Sequence, residues 1–345
     1  MSFPRMEGLV AATVTPLDKE GNLWLDQVES IVEHLERDGV AGLYICGSTG
    51  EGVSLCDNER RLVAEAYVGV ARGRFKTFIQ VGHNSLSAAQ ALAFHAQQIA
   101  ADAVSATCPS YFKIDSVETL VDSMAQVAAG APELPFYYYH IPALTNVSLD
   151  MVKFVELAAA RIPTFAGLKF TTLALHEFQS CLELDGRRFD ALWGVDQMLL
   201  GAVAVGARGA VGSTYNIAAP IANRVLEACD HANLVEARKW QSRLTATIRI
   251  LSNHSYHAAL KQTLAWLGVE CGSCRLPLTK LSREETDVLH RELESLGFFQ
   301  WRRQESPRFL QLDANTVSEG NGMPDHLSDS TGSLRNSPLD MMGDR

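Results

Sequence analysis

Short apolar runs recur along the first two thirds of the chain, separated by stretches whose apolar positions follow a helical period. Eight runs stand out: GLVAATVT from Gly8, AGLYICG from Ala41, KTFIQVG from Lys76, AVSATC from Ala103, LPFYYYHI from Leu134, FAGLKF from Phe165, FDALWGV from Phe189 and GAVGST from Gly209. They are too uniformly apolar for strands with one wet face, so they predict buried parallel strands. The segments between them predict amphipathic helices, two of which open on the N-cap residues Ser116 and Ser148. Strand starts between residues 8 and 209 are spaced by about 29 residues, which suits a right-handed βαβ crossover. Eight such units predict an α/β fold of the closed (β/α)8 TIM-barrel type rather than a doubly wound sheet.

After the eighth run the period is helical throughout, over about 217–230, 234–251, 256–267 and 282–296, which predicts a C-terminal helical appendage. The expected organisation is a barrel over 1–230, a helical region over 231–303 and a tail over 304–345. That tail is rich in Ser, Asn, Asp, Gly and Pro without a sustained period and reads as disordered.

Composition narrows the function classes. Of 345 residues, 47% are hydrophobic and 20% charged, as in ordinary globular proteins. The formal charge of −10 repels phosphate backbones and anionic membranes, so neither nucleic acid nor membrane is an expected partner. No run approaches the roughly 18 apolar residues of a membrane span. The opening MSFPRMEGLVAATVTPLDKEG lacks the apolar region and cleavage site of a signal peptide, so a cytoplasmic location is expected. Seven cysteines, an odd number in a long chain, are expected to be reduced, most of them as small core residues.

In a (β/α)8 barrel the reactive groups lie at the C-terminal ends of the strands. The second strand exits through Gly47-Ser48-Thr49-Gly50-Glu51-Gly52, which fits neither a Walker loop nor GxGxxG. It reads either as an ordinary Gly-rich turn or as a site where N–H and hydroxyl groups bind a small carboxylate. The sixth strand carries a single Lys169 in an apolar run, and alternation sets it opposite Leu168 and Phe170, facing the barrel interior beside Gly167 and Thr171. Burial there would lower the amine's pKa and suit it to Schiff-base formation; otherwise the side chain snorkels to solvent. The fifth strand exits through Tyr-His-Ile-Pro, where Tyr139 could transfer a proton, while at least one of Tyr137, Tyr138 and Tyr139 must pack toward the helices. Tyr111 places another phenol after the fourth strand.

GSTGEG, YHIPALT, GLKF, GVDQ and GSTYN, together with RLPL at 275–278, stand in the order and spacing of the dihydrodipicolinate synthase and N-acetylneuraminate lyase superfamily. The chain resembles that superfamily from about residue 8 to 296, and the stretch LPFYYYHIPALT resembles its N-acetylneuraminate lyase branch. Leu144 falls where the synthases usually carry an Arg for a second carboxylate, so the resemblance implies a neutral aldehyde such as an amino sugar. It further implies class I aldolase chemistry needing no cofactor and no metal. Lys169 would form the imine, Tyr139 would move the proton at the C4 oxygen, and Ser48 and Thr49 would bind the keto-acid carboxylate. Thr171, Gly194, Asp196, Gln197 and Ser213 would contact the sugar. Tyr111 would enter a neighbouring subunit's site, which implies a homotetramer built from dimers. Two positions depart from the lyase pattern: Gln197 replaces a common Glu, and Asn146 a common Gly.

The rival readings are an imine-forming lyase or dehydratase for another 2-keto sugar acid, and a catalytically retired keto-acid-binding barrel. Retention of Lys169, Tyr139, Thr49 and Tyr111 speaks against the second. Cys271 and Cys274 form a lone CxxC, read as adventitious thiols rather than a zinc site. His254 and His257, three apart on an expected helix, read as surface or interface residues. Glu284, Glu285, Arg291 and Glu292 read as a solvated helical face.

Overall fold

The computed structural model describes residues 3–303; the tail expected over 304–345 lies outside the described residues. Eight parallel strands close into a barrel in strict chain order, β8 pairing with β1. They are β1 (Gly8–Ala12), β2 (Gly42–Ile45), β3 (Lys76–Gln80), β4 (Ala103–Ala106), β5 (Phe136–His140), β6 (Phe165–Phe170), β7 (Asp190–Trp193) and β8 (Gly209–Gly212). Around them run α1 (Val28–Arg37), α2 (Asp57–Ala71), α3 (Leu86–Gln98), α4 (Val117–Ala128), α5 (Pro142–Thr145), α6 (Met151–Arg161), α7 (Leu175–Glu183), α8 (Leu199–Ala204) and α9 (Tyr215–Asp230). The C-terminal helices are α10 (Leu234–Ser252), α11 (Tyr256–Trp266), α12 (Arg283–Leu296) and α13 (Phe298–Arg302), and α10, α11 and α13 pack against α9. Among the described residues, no helix is long and apolar enough to cross a membrane.

Local chemistry explains the helix starts. Ser116 caps α4 by accepting from Thr119 N, and Ser282 forms a capping box with Glu285 at α12. The start expected at Ser148 falls instead at Met151. Asp150 takes the capping role by accepting from Lys153 N at 3.0 Å, and a carboxylate there also complements the helix dipole.

Strand alternation divides the core into two layers. Leu9, Ala11, Tyr138, Leu168 and Phe170 point outward to the helices, where Tyr138 packs on Phe154 at 4.6 Å. Val10, Ala12, Tyr44, Phe78, Tyr137, Tyr139, Leu192 and Val211 fill the barrel. Its N-terminal end is sealed at Asp190, which accepts from Met6 N at 2.9 Å and from the Tyr137 hydroxyl at 3.1 Å. Burial raises that carboxyl's pKa to about 6. The β5–β6 register slips between Phe136 and Tyr137, and beyond the slip Tyr139 stands opposite Lys169. Gly167 serves the close approach of the backbones: a Cβ there would lie 1.7 Å from Asp190 O on β7.

Candidate active site

The strand exits converge on a cavity of about 290 Å³ at the C-terminal mouth of the barrel, near the lower end of the about 300–1,000 Å³ usual for small-molecule sites. The loop after β2 contributes Ser48 and Thr49, β5 contributes Tyr139, and β6 and its exit contribute Lys169 and Thr171. The exits of β7 and β8 add Gly194, Asp196, Gln197 and Ser213, while Ile248, Tyr256 and His257 of the C-terminal helices close one side.

Lys169 is only 4% exposed; its side chain turns into the barrel and does not snorkel. Its Nζ lies 4.0 Å from the centroids of both the Tyr44 and Tyr139 rings, which meet edge to face at 5.6 Å. Burial lowers the ammonium's pKa to about 7, although the nearby Asp196 carboxylate favours the charged form. At neutral pH a large share of this amine is therefore uncharged and nucleophilic. For Tyr139, burial pushes the phenol up to about 12, with the hydroxyls of Ser48 and Thr171 working in the opposite direction. It stays protonated at neutral pH and can donate.

The polar atoms of the far wall are arranged for a guest. Asp196 Oδ2 accepts from Thr214 N at 3.0 Å and from the Thr214 hydroxyl. Its Oδ1 is buried with no partner in hydrogen-bond geometry, and so is Thr171 Oγ1. Such atoms are costly unless a ligand or water satisfies them. Burial raises the Asp196 carboxyl's pKa, which the Thr214 donors partly offset. Two glycines permit this arrangement: a Cβ on Gly194 would lie 2.1 Å from Thr171 Oγ1, and one on Gly212 would lie 2.0 Å from Asp196 Oδ1. Ser213 Oγ shares a 2.8 Å hydrogen bond with the Tyr256 hydroxyl. Gln197 is exposed at the mouth, its backbone carbonyl accepting from Gln241 Nε2 at 3.1 Å.

Across the cavity, the Gly47–Gly52 loop is wound tightly. Gly52 N donates to Gly47 O at 3.1 Å, Thr15 Oγ1 donates to Gly50 O at 2.6 Å, and a Cβ on Gly52 would lie 2.0 Å from Cys46 O. A groove of about 320 Å³ lies at the opposite end of the barrel, lined in part by Arg74 and Lys76. Those cations are paired with Glu36 and Asp102, and the buried Thr77 hydroxyl in the lining is bound to the same Asp102. Among the described residues, no group of three or more His, Cys, Asp or Glu is placed to hold a metal ion.

A buried amine and phenol facing a polar wall at a barrel mouth accord with the comparisons with known proteins. Residues 5–296 match the dihydrodipicolinate synthetase family. The chain belongs to that family. It is 38% identical over 305 residues to the N-acetylneuraminate lyase of Homo sapiens, covering 86% of this chain and 95% of the relative. The structure of the Aliivibrio salmonicida N-acetylneuraminate lyase (sialic acid aldolase) superposes with a TM-score of 0.83 at 37% identity, over 86% of this chain and 98% of that one. The Proteus mirabilis N-acetylneuraminate lyase gives 0.83 at 34% identity, over 86% and 100%.

Within this member of the dihydrodipicolinate synthetase family, the cavity gathers every site residue named from the sequence except Tyr111. Tyr111 is 80% exposed, edge to face with Phe112, which is 82% exposed. Asn146, the second departure from the lyase pattern, plays a backbone role. It ends α5 at φ 55°, a left-handed conformation that Asn tolerates nearly as Gly does. His257 is no surface residue, since it lines the cavity and its Nε2 donates to Ser48 O at 3.1 Å. His254 precedes α11 rather than lying on it and contacts Glu292 at 2.9 Å, so Glu292 is not merely a solvated charge. Cys271 and Cys274 are free and buried. Sequence pattern did not single out Tyr44 or Tyr256; the inward phase of β2 was the available signal for Tyr44, whereas Tyr256 depends on how α11 docks.

Proposed function

We propose that this protein is a class I aldolase that cleaves N-acetylneuraminate, or a close sialic acid, to pyruvate and N-acetylmannosamine. The observation that carries this reading is Lys169: a buried amine with its pKa lowered to about 7, inside the cavity and in contact with the Tyr139 ring. The neutral amine attacks the C2 ketone of the open-chain sugar, and the carbinolamine loses water to give a protonated imine. The C3–C4 bond then breaks, its electron pair passing into the imine to leave a pyruvate enamine, while Tyr139 moves the proton at the C4 oxygen. Protonation at C3 and addition of water release pyruvate and restore Lys169. Ser48 and Thr49 hold the carboxylate through hydroxyl and backbone N–H groups. Thr171 Oγ1 and Asp196 Oδ1, both unsatisfied in the wall, receive sugar hydroxyls together with Gly194, Gln197 and Ser213.

The same reading makes the working unit a homotetramer of dimers, with Tyr111 reaching a neighbouring site. The exposed Tyr111–Phe112 pair supports it, because large aromatic rings left in water are characteristic of surfaces that a partner covers. A cytoplasmic location is supported by seven free cysteines. Gln197 at the mouth, an amide where related lyases carry Glu, leaves a second substrate class: another 2-keto sugar acid processed through the same imine.

Borohydride reduction in the presence of pyruvate, followed by intact-mass measurement and peptide mapping, tests the proposal. One adduct per chain, on Lys169, is expected. Absence of any adduct at saturating pyruvate would refute the aldolase chemistry, and pyruvate release from a panel of sialic and other 2-keto sugar acids would assign the substrate.

A further inference from the structure

The Gly47–Gly52 loop is held from a distant part of the chain by charges that the chemistry does not use. Lys261 Nζ on α11 lies 2.7 Å from Glu51 Oε1, and the two side chains are 2% and 0% exposed. Neither residue lines the cavity. The ammonium also donates to Ser273 O at 3.0 Å, and Glu51 Oε2 accepts from Arg275 N at 2.8 Å, so both ions are satisfied. Arg275 continues the connection by bridging Glu59, which accepts from Cys56 N in the capping box of α2. A buried ion pair of this kind contributes little net stability compared with apolar residues of the same volume, because both ions must be desolvated. What it does supply is a fixed geometry.

That geometry acts on the residues that hold the carboxylate. Glu51 has a left-handed backbone at φ 57°, a conformation a non-glycine residue keeps only when its surroundings impose it. Its N–H donates to Ser48 O at 3.1 Å, and the same carbonyl accepts from His257 Nε2 at 3.1 Å. Helix α11 therefore grips the loop at two points one helical turn apart, His257 at Ser48 and Lys261 at Glu51, with Thr49 between them. Tyr256, beside His257, reaches the opposite wall at Ser213. We infer that Lys261 and Glu51 are positioning residues: their ion pair lets α11 set the orientation of Ser48 and Thr49 toward the carboxylate of the keto acid. The inference rests on the aldolase reading above. It gives the C-terminal helices a part in substrate binding, since misplacing a binding group by about 1 Å is enough to weaken its use severely.

The test uses the full chain in the condensation direction, with pyruvate and N-acetylmannosamine. Lys261→Met should raise the KM for pyruvate at least tenfold while kcat per borohydride-trapped site stays within about threefold, the signature of lost uniform binding. Because that variant strands a buried carboxylate, Lys261→Met/Glu51→Gln is measured beside it. Removing the unpaired charge should return the thermal midpoint toward the parent value while the pyruvate KM remains raised. If the pair only maintained the fold, the double variant would recover both, and a parent-like KM in either folded variant would overturn the inference. Failure of both variants to fold would likewise assign the pair to stability and overturn it. The parent's adduct keeps the two proposals separate: no adduct on the parent sinks the aldolase reading, whereas a parent adduct with unchanged variant KM sinks only the positioning role.

Discussion

Lys169 Nζ stands 4.0 Å from the centroid of the Tyr44 ring, whose own hydroxyl is anchored by donating to Ser105 Oγ at 2.9 Å. With Tyr139 at the same distance, the nitrogen is flanked by two aromatic faces. On the proposed aldolase reading, an amine that becomes a cationic imine would gain from such faces, each contact being worth about 0.5–2 kcal/mol when desolvated. Tyr44→Phe keeps the ring and should leave kcat within about threefold. Tyr44→Leu removes it and should lower kcat by about 3- to 30-fold on the same scale. Equal kcat for the Phe and Leu variants would show that the ring face does not matter.

The lowered pKa of Lys169 has consequences for both rate and stability. Trapping by borohydride needs the neutral amine, so its rate at fixed pyruvate should rise with pH up to about 7 and then level. In the unfolded chain a lysine titrates near 10.4. Between about pH 7 and that value the unfolded state holds the extra proton, so this group makes the parent more stable as pH rises. Lys169→Met lacks the effect. The variant should melt above the parent at pH 7, and the gap should narrow toward pH 10; a gap independent of pH would contradict the lowered pKa.

Tyr139→Phe retains the ring beside Lys169 but removes, among the described residues, the only phenol lining the cavity from a barrel strand. Turnover should fall by about 10²- to 10⁴-fold, the usual contribution of general acid–base catalysis, while the borohydride adduct with pyruvate still forms. Near-parental turnover would remove Tyr139 from the proton path.

Gly212→Ala tests whether Asp196 is placed for substrate. The new methyl would lie 2.0 Å from Oδ1 and 2.5 Å from Oδ2, so the whole carboxylate would have to shift against its hydrogen bonds from Thr214. The KM for the sugar should rise at least tenfold with the pyruvate adduct unaffected, as read by comparing cleavage kinetics with trapping. An unchanged sugar KM would mean that Asp196 does not bind it.

The barrel was legible because each of its strands is buried on both faces and so appears as an uninterrupted apolar run. Lys169 was legible for the same reason, as a charge in the middle of an otherwise apolar run. Alternation also foretold that Tyr138 would part from its neighbours. What strand patterning could not reveal were contacts made by docking of distant helices: His257 on Ser48, Tyr256 on Ser213 and Lys261 on Glu51 each join positions more than 40 residues apart. The roles of Gly167 and Asn146 were illegible for a related reason, since they are set by a neighbouring backbone and a left-handed φ rather than by side-chain pattern. The short helix α13 follows Gly297, which reads as a helix stop and does end α12, and Arg302 from it pairs with Asp38.

Gln197, which the family resemblance sets against the sugar where lyases commonly carry Glu, stands at the mouth of the cavity, and on the proposed reading that place would let it tune selectivity. Its backbone is fixed by Gln241 and Thr245, whereas its side chain stands exposed at the mouth beside the buried Asp196. An amide there both donates and accepts, while a carboxylate only accepts but binds hydroxyls more strongly. Adding the charge should also disfavour substrates that bring negative groups to the mouth. Gln197→Glu should therefore reorder kcat/KM among N-acetylneuraminate, its glycolyl analogue and a sialic acid with a shortened glycerol chain. The expected change is about 1–3 kcal/mol in relative transition-state binding, or about tenfold to a hundredfold in selectivity. Imine trapping at Lys169 should be unchanged, because Gln197 stands exposed at the mouth whereas Lys169 is buried within the barrel. Identical rankings in parent and variant would show that this side chain does not read the substrate.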